Sequence, residues 1–246
     1  MNRFQNYDTT TNSLLSEITV LLRGEAAPIS AWTEQWNGRR LAVCLAVIVV
    51  GAGLYGAAMG YWRAPQQAFY VAIKFPLIIL LTTFGNALLN AMLAPLLGLN
   101  ISLRQSFLAV LFSFTIASAI LGSFSPLAAF LVWNAPPLSA SAAELSTGTY
   151  TFIQLTHVAV IAFAGVTANL RLAQLLQHLS GNSRIARRVL LAWLAGNLLF
   201  GSQLTWIMRP FIGAPGLPVQ FLRATAFKGN FYETVFHALL RLLNMN

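Results

Sequence analysis

Five stretches of this chain run apolar for about twenty residues or more without a single carboxylate, and that pattern leaves few folds open. They cover residues 41–62, 69–97, 103–124 (reaching toward 133 past Pro126), 150–170 and 189–208. A bilayer's hydrocarbon core is crossed by about 20 helical residues, so each stretch is long enough to span it. None alternates polar with apolar residues as the strands of a membrane barrel do. In lipid every backbone N–H and C=O must find a protein partner, and a helix provides one within its own segment. The expected fold is therefore all-α: a polytopic integral membrane bundle of about five transmembrane helices over residues 41–208. An N-terminal segment, 1–40, precedes it and a C-terminal segment, 209–246, follows. Composition agrees, with 57% hydrophobic and 9% charged residues among 246 and a mean hydropathy of +0.67. Soluble domains carry about 25% charged residues, which a water-facing surface requires.

Both flanks read as amphipathic, interfacial helices. Leu14, Leu15, Ile18, Leu21 and Leu22 share one helical face, with Gly24 as the stop. Trp32 and Trp36 follow one turn apart, then Arg39 and Arg40, a pattern suited to the membrane–water boundary or to a partner-binding arm. After residue 208, Pro210, Gly213, Pro215, Gly216 and Pro218 predict an irregular loop. Asn230 with Glu233 three residues on resembles a capping box, opening a helix on which Glu233, His237 and Arg241 stack. Its apolar run is too short to span, so it should lie at the interface or dock. The segment 139–146, rich in Ser and Ala, is the expected flexible loop. No cleaved leader is expected, and the first span should act as its own signal.

The net charge of +9 would suggest nucleic acid in a soluble protein. Here Lys and Arg cluster at the ends of apolar stretches, as topology signals do, and no nucleic-acid partner is expected. Residues 134–149 hold no Lys or Arg, whereas 171–188 hold Arg171, Arg184, Arg187 and Arg188. The positive-inside rule then places the N-terminus in the cytoplasm and, with five spans, the C-terminus outside.

The six acids (Asp8, Glu17, Glu25, Glu34, Glu144 and Glu233) all lie outside the spans. Coupled transporters often rely on intramembrane carboxylates, so their absence argues against that class. Motifs for metalloproteases, nucleotide-binding loops and serine hydrolases are absent as well, and no enzyme activity is expected. The lone Cys44 sits in an apolar run and reads as a small hydrophobe. His157, with Gln154 one turn before it, could ligate a metal or haem only with a partner on another helix. His178 and His237 fall outside the spans, so His157 reads as a hydrogen-bonded contact between helices, and no metal or cofactor is expected.

Three further patterns mark candidate sites. Thr83, Asn86 and Asn90 share a face of the second span, and Asn197, Gly201 and Thr205 share one on the fifth. They suit a polar bundle interior, either a substrate path or interhelical hydrogen bonding, and the packing reading is preferred. Ala52, Gly56 and Gly60 recur every four residues, a row that lets helices approach closely within one chain or between chains. Lys74-Phe75-Pro76 and Arg209-Pro210 place two cations on the outer side, suiting an anion or lipid-headgroup site or ordinary snorkelling to the interface.

Two resemblances add to this. The runs 54–60 (Leu-Tyr-Gly-Ala-Ala-Met-Gly), 72–77 (Ala-Ile-Lys-Phe-Pro-Leu), 102–105 (Ser-Leu-Arg-Gln), 206–216 (Trp-Ile-Met-Arg-Pro-Phe-Ile-Gly-Ala-Pro-Gly) and 229–233 (Gly-Asn-Phe-Tyr-Glu) resemble a family of uncharacterised bacterial multi-pass membrane proteins. That resemblance implies the bacterial cytoplasmic membrane and no particular activity. In architecture the chain is also similar to the Yip family of Rab-interacting membrane proteins, which have five spans and a cytoplasmic N-terminus. The acidic Tyr-Gly-Pro motif of that family is missing, so a small-GTPase partner does not carry over. The function expected from these readings is a non-enzymatic membrane scaffold or accessory subunit, in contact with lipid and with other membrane subunits or copies of itself. The alternative is a channel, transporter or permease subunit for a small solute.

Overall fold

The structure, a computed structural model, describes residues 19–20, 23, 26–34, 37–136, 143–213 and 218–233. Its helices are α1 (Ala26–Glu34), α2 (Gly38–Tyr61), α3 (Pro65–Leu96), α4 (Leu103–Trp133), α5 (Ala143–Ser180) and α6 (Ser183–Met208). No strand occurs among the described residues. The helices α2 to α6 are each long and apolar enough to cross a membrane. Even α2, the shortest of them with 24 residues, is about 36 Å long. The end of the bundle where α2 begins is called proximal below, and the end where α6 finishes is called distal.

Local chemistry sets the ends. Asn37 caps α2 by accepting the Arg39 and Arg40 amides, and Asn182 does the same for Arg184 and Ile185 of α6. Ser102 and Gln105 form a reciprocal capping box at α4. Pro65 occupies the first turn of α3, where no N–H is needed. The turn between α5 and α6 needs Gly181 at φ +60°, a conformation with a low cost only for glycine.

The third apolar stretch takes the longer of its two expected extents and is one helix through Pro126 to Trp133, where the Ser125 hydroxyl donates to the Gly122 carbonyl (2.7 Å) that proline cannot serve. Other ends differ from those expected of the sequence. Arg171, Arg184, Arg187 and Arg188 sit on helix rather than in a loop, since α5 and α6 continue past the apolar stretches and meet at Gly181–Asn182. The last residues of the Ser/Ala-rich segment already belong to α5, which begins at Ala143.

The bundle is apolar on its outside. Val50, Phe84, Met92, Phe130, Phe152 and Leu198 are exposed, whereas Gln67, Lys74, Asn86, Asn90 and His157 are buried. That inversion suits a lipid solvent. Helix α4 contacts α2, α3 and α5, and α6 closes the bundle against α3 and α5. One buried cluster fills the proximal half, including Cys44, Ile48, Leu111, Leu176 and Trp193. A second fills the distal half around Tyr55, Met59, Val71, Leu121 and Ile153.

The small-residue row works inside the chain. A Cβ on Gly56 would lie 2.6 Å from the Val71 carbonyl oxygen, and one on Gly60 2.7 Å from that of Gln67. Gly51, outside the expected row, packs on the Ser118 backbone of α4, with Gly122 across from it. Ala52 is fully buried beside it.

Helix α1 is docked rather than merely interfacial. Ile29, Ser30 and Thr33 are buried, and α1 contacts α4 and α5. The Trp32 ring meets Phe112 edge-on at 6.3 Å, and the Arg40 guanidinium lies 4.3 Å over the same indole. Arg104 donates to the Glu34 carbonyl. Trp36, the leucines at 14–22, Gly24 and residues 234–246 with His237 and Arg241 lie outside the described residues. The start of the C-terminal helix is described: Asn230 Oδ1 accepts the Glu233 amide at 2.7 Å, as the sequence predicts.

Candidate functional site

The buried residues of α6 are Ala186, Val189, Trp193 and Gly196, all in its proximal part. Its distal part leaves the core, and the chain beyond it returns to fill the space: Pro210, Ile212 and Gly213 are buried. Two fully buried side chains of α3 hold this return. Gln67 Nε2 donates to the Pro210 carbonyl (2.9 Å) and to the Phe211 carbonyl (2.7 Å). Lys74 Nζ donates to the same Pro210 carbonyl (3.0 Å). Gln67 and Lys74 are two turns apart on one face, which is what lets them share a target. The Lys74 ammonium also faces the rings of Phe221 at 5.0 Å and Phe211 at 6.0 Å. Carbonyl dipoles and ring faces thus take the place of water around a buried cation. The Arg209–Pro210 bond is cis, and Gly213 adopts φ +83° against the Arg63 side chain.

This corrects one sequence reading. Lys74 does not snorkel to the boundary. It lies within α3, fully buried, and Pro76 is interior to the helix as well. Lys74 and Arg209 are brought to one region but take different parts: Lys74 anchors the loop from behind, and Arg209 opens onto a cavity.

That cavity has a volume of about 320 Å³. Its polar lining comes from Arg209, Arg223, His157, Gln154, Thr205 and Tyr150, with Met59, Phe75 and Phe211 among its apolar walls. None of its lining residues is acidic among the described residues. The Arg209 guanidinium stacks on the Trp206 indole. Burial, and then the neighbouring Arg223 charge, push its pKa below the ordinary arginine value. The Nε atoms of Arg209 and Arg223 are buried with no partner among the described residues.

His157 makes the interhelical contact that the sequence suggests. Its Nδ1 lies 2.8 Å from the Tyr55 hydroxyl of α2, and the rings meet edge to face at 5.4 Å. Tyr55 is fully buried. One hydrogen bond joins its hydroxyl to Nδ1, and in the tautomer whose Nδ1 accepts it the ring carries its proton on Nε2. Nε2 is buried without a protein partner among the described residues. Thr205 lies at this cavity with His157 rather than with the asparagines.

The asparagine row is paired in part. Asn86 of α3 donates to Asn197 of α6, and a Cβ on Gly196 would come within 2.7 Å of Asn86 Oδ1. Gly201 faces Thr82. Thr83 turns its hydroxyl to the Ile79 carbonyl of its own helix (2.7 Å). Asn90 is fully buried one turn away, its amide without a partner among the described residues. The 320 Å³ cavity takes no lining from Asn86, Asn90 or Asn197. The Asn86–Asn197 contact should be worth about 1 kcal/mol. A double-mutant cycle with Asn86→Ala and Asn197→Ala, read by unfolding in detergent, checks that coupling, and additive losses would exclude it.

Sequence reasoning missed Gln67, Tyr55 and Arg223. The one signal for Gln67 was its seven-residue spacing from Lys74, which puts both on one helical face. Arg223 carried no local signal, since a loop arginine reads as solvated. The chain matches no protein-family model, no curated protein and no solved structure.

Proposed function

We propose that the chain is a non-enzymatic integral membrane subunit that holds or positions other components of a membrane complex. The reading places it in a bacterial cytoplasmic membrane, with the arginine-rich proximal end in the cytoplasm. One observation carries it: three sets of polar side chains that join separate parts of the bundle are engaged with protein partners. Asn86 pairs with Asn197, Tyr55 with His157, and Gln67 and Lys74 with the returning loop. Contacts of this kind favour a rigid body, and Asn90, whose amide has no partner among the described residues, is fully buried and lies outside the lining of the distal cavity. The spans contain no carboxylate to couple ion movement. The alternative, a small-solute channel or transporter subunit, requires a water-filled path along Asn86, Asn90 and Asn197.

The test is purification of the full chain from its native membrane in mild detergent, with native mass measured. A complex of defined stoichiometry containing a second membrane protein is the expected result. A lone monomer, or an assembly of this chain only, would overturn the assembly role. Solute flux through the purified chain in vesicles would favour the alternative.

A further inference from the structure

We propose that the distal cavity is a binding site for a phosphate group, presented by an acidic phospholipid headgroup or as free inorganic phosphate. This goes beyond the assembly role and does not depend on it. The charge pattern points to an anion. Arg209 and Arg223 face one cavity whose lining holds no acid among the described residues, and the fully buried Lys74 adds a third positive charge behind it. Two guanidinium groups sharing an unbalanced space repel each other, and a bound anion removes that penalty.

The unused donors point the same way. The Nε–H groups of both arginines are buried and have no partner among the described residues, and the same holds for His157 Nε2. His157 is only 3% exposed. Its Nδ1 is occupied by Tyr55, so Nε2 is the ring nitrogen left at the cavity wall, and the tautomer with its proton there makes it a donor to an anion. Thr205, Gln154 and Tyr150 add hydroxyl and amide groups to the same lining. Several donors around one small space match the several acceptor oxygens of a phosphate, and guanidinium forks suit them geometrically. A carboxylate offers fewer acceptors for the same set.

The apolar part of the wall allows a lipid to supply the phosphate. Val158 and Ile161 of α5 line the cavity and are also exposed on the outside of the bundle. The site thus continues onto the lipid-facing surface, where acyl chains can lie.

The test uses the full chain, purified in detergent and stripped of acidic lipid. One arm measures retention of phosphatidylglycerol against phosphatidylcholine after exchange with mixed vesicles. The other titrates inorganic phosphate and follows the thermal midpoint. Retention of phosphatidylglycerol without a phosphate response identifies the headgroup, and a phosphate response without lipid preference identifies the free ion. Either result supports the site. The Arg209→Gln/Arg223→Gln double variant should bind about thirtyfold more weakly, whereas Arg188→Gln at the proximal end should bind as before. Should the double variant not fold, Gln154→Glu serves instead. It places a carboxylate at an exposed position of the lining and should abolish binding, with a ligand-free midpoint no lower than that of the unmodified chain. Binding of neither ligand by the unmodified chain, or binding unchanged in these variants, would overturn the proposal.

Discussion

Gly51→Leu is expected to force α2 away from α4 and to cost about 3 kcal/mol or more, the upper end for overpacking. The obstacle sets the size of the effect. A Cβ at Gly51 meets the Ser118 backbone, with its carbonyl carbon at 2.9 Å, and a Cβ at Gly122 would sit 2.8 Å from Gly51 Cα. Backbone on both sides cannot rotate aside as a flexible side chain can, so whole helices must separate. The contact between α2 and α4 is among the most extensive in the bundle, and both buried clusters draw on these two helices. Loss should therefore reach the proximal and distal halves together. Gly165→Leu is the matched control, because a Cβ there meets nothing within 4 Å. Thermal unfolding in detergent, followed by circular dichroism, compares the two. Equal midpoints for both variants would mean that the close approach at Gly51 and Gly122 does not hold α2 against α4.

Gln67→Leu is expected to release the loop that follows α6. The substitution removes the donor to the Phe211 carbonyl and one of two donors to the Pro210 carbonyl. A carbonyl left unpaired in a buried place costs about 1–3 kcal/mol. Amide exchange at residues 211–213 should accelerate by about ten- to a hundredfold if the loop opens locally. Lys74→Met should do less. Gln67 still serves the Pro210 carbonyl, and removing a desolvated ammonium offsets part of the lost bond. Exchange measured on both variants tests the order. If Lys74→Met loosens the loop more than Gln67→Leu, the buried amide is not the principal anchor.

The spans were legible because lipid imposes a simple rule on composition, and the rule holds along each helix. The faces of α3 and α6 were legible for a related reason. An asparagine is costly against hydrocarbon, so Asn86 and Asn197 had to turn inward, and each met the other. His157 followed the same logic to Tyr55. Helix ends were harder to place. Arginines at 184, 187 and 188 look like loop to a hydropathy reading, yet Asn182 caps a helix that begins before the apolar stretch. The returning loop was not legible at all. Its anchors are backbone carbonyls 136 and 143 residues away from Lys74 and Gln67, and no residue identity in the loop announces them. Thr205 shows the limit of a helical stripe. It shares a face with Asn197, but α6 has left the core by that point, and the residue lines the distal cavity instead.

Whether the asparagine row is closed can be measured by cysteine accessibility in intact membrane vesicles. With Cys44→Ala as background, the variants Thr83→Cys and Asn90→Cys, which leave the Asn86–Asn197 contact in place, would be exposed in turn to a membrane-impermeant thiol reagent on each face. A bundle sealed by that contact leaves both unlabelled until it is unfolded in denaturant. Labelling of either of them from either face in the folded protein would reveal a water-filled path and contradict the closed, non-conducting reading.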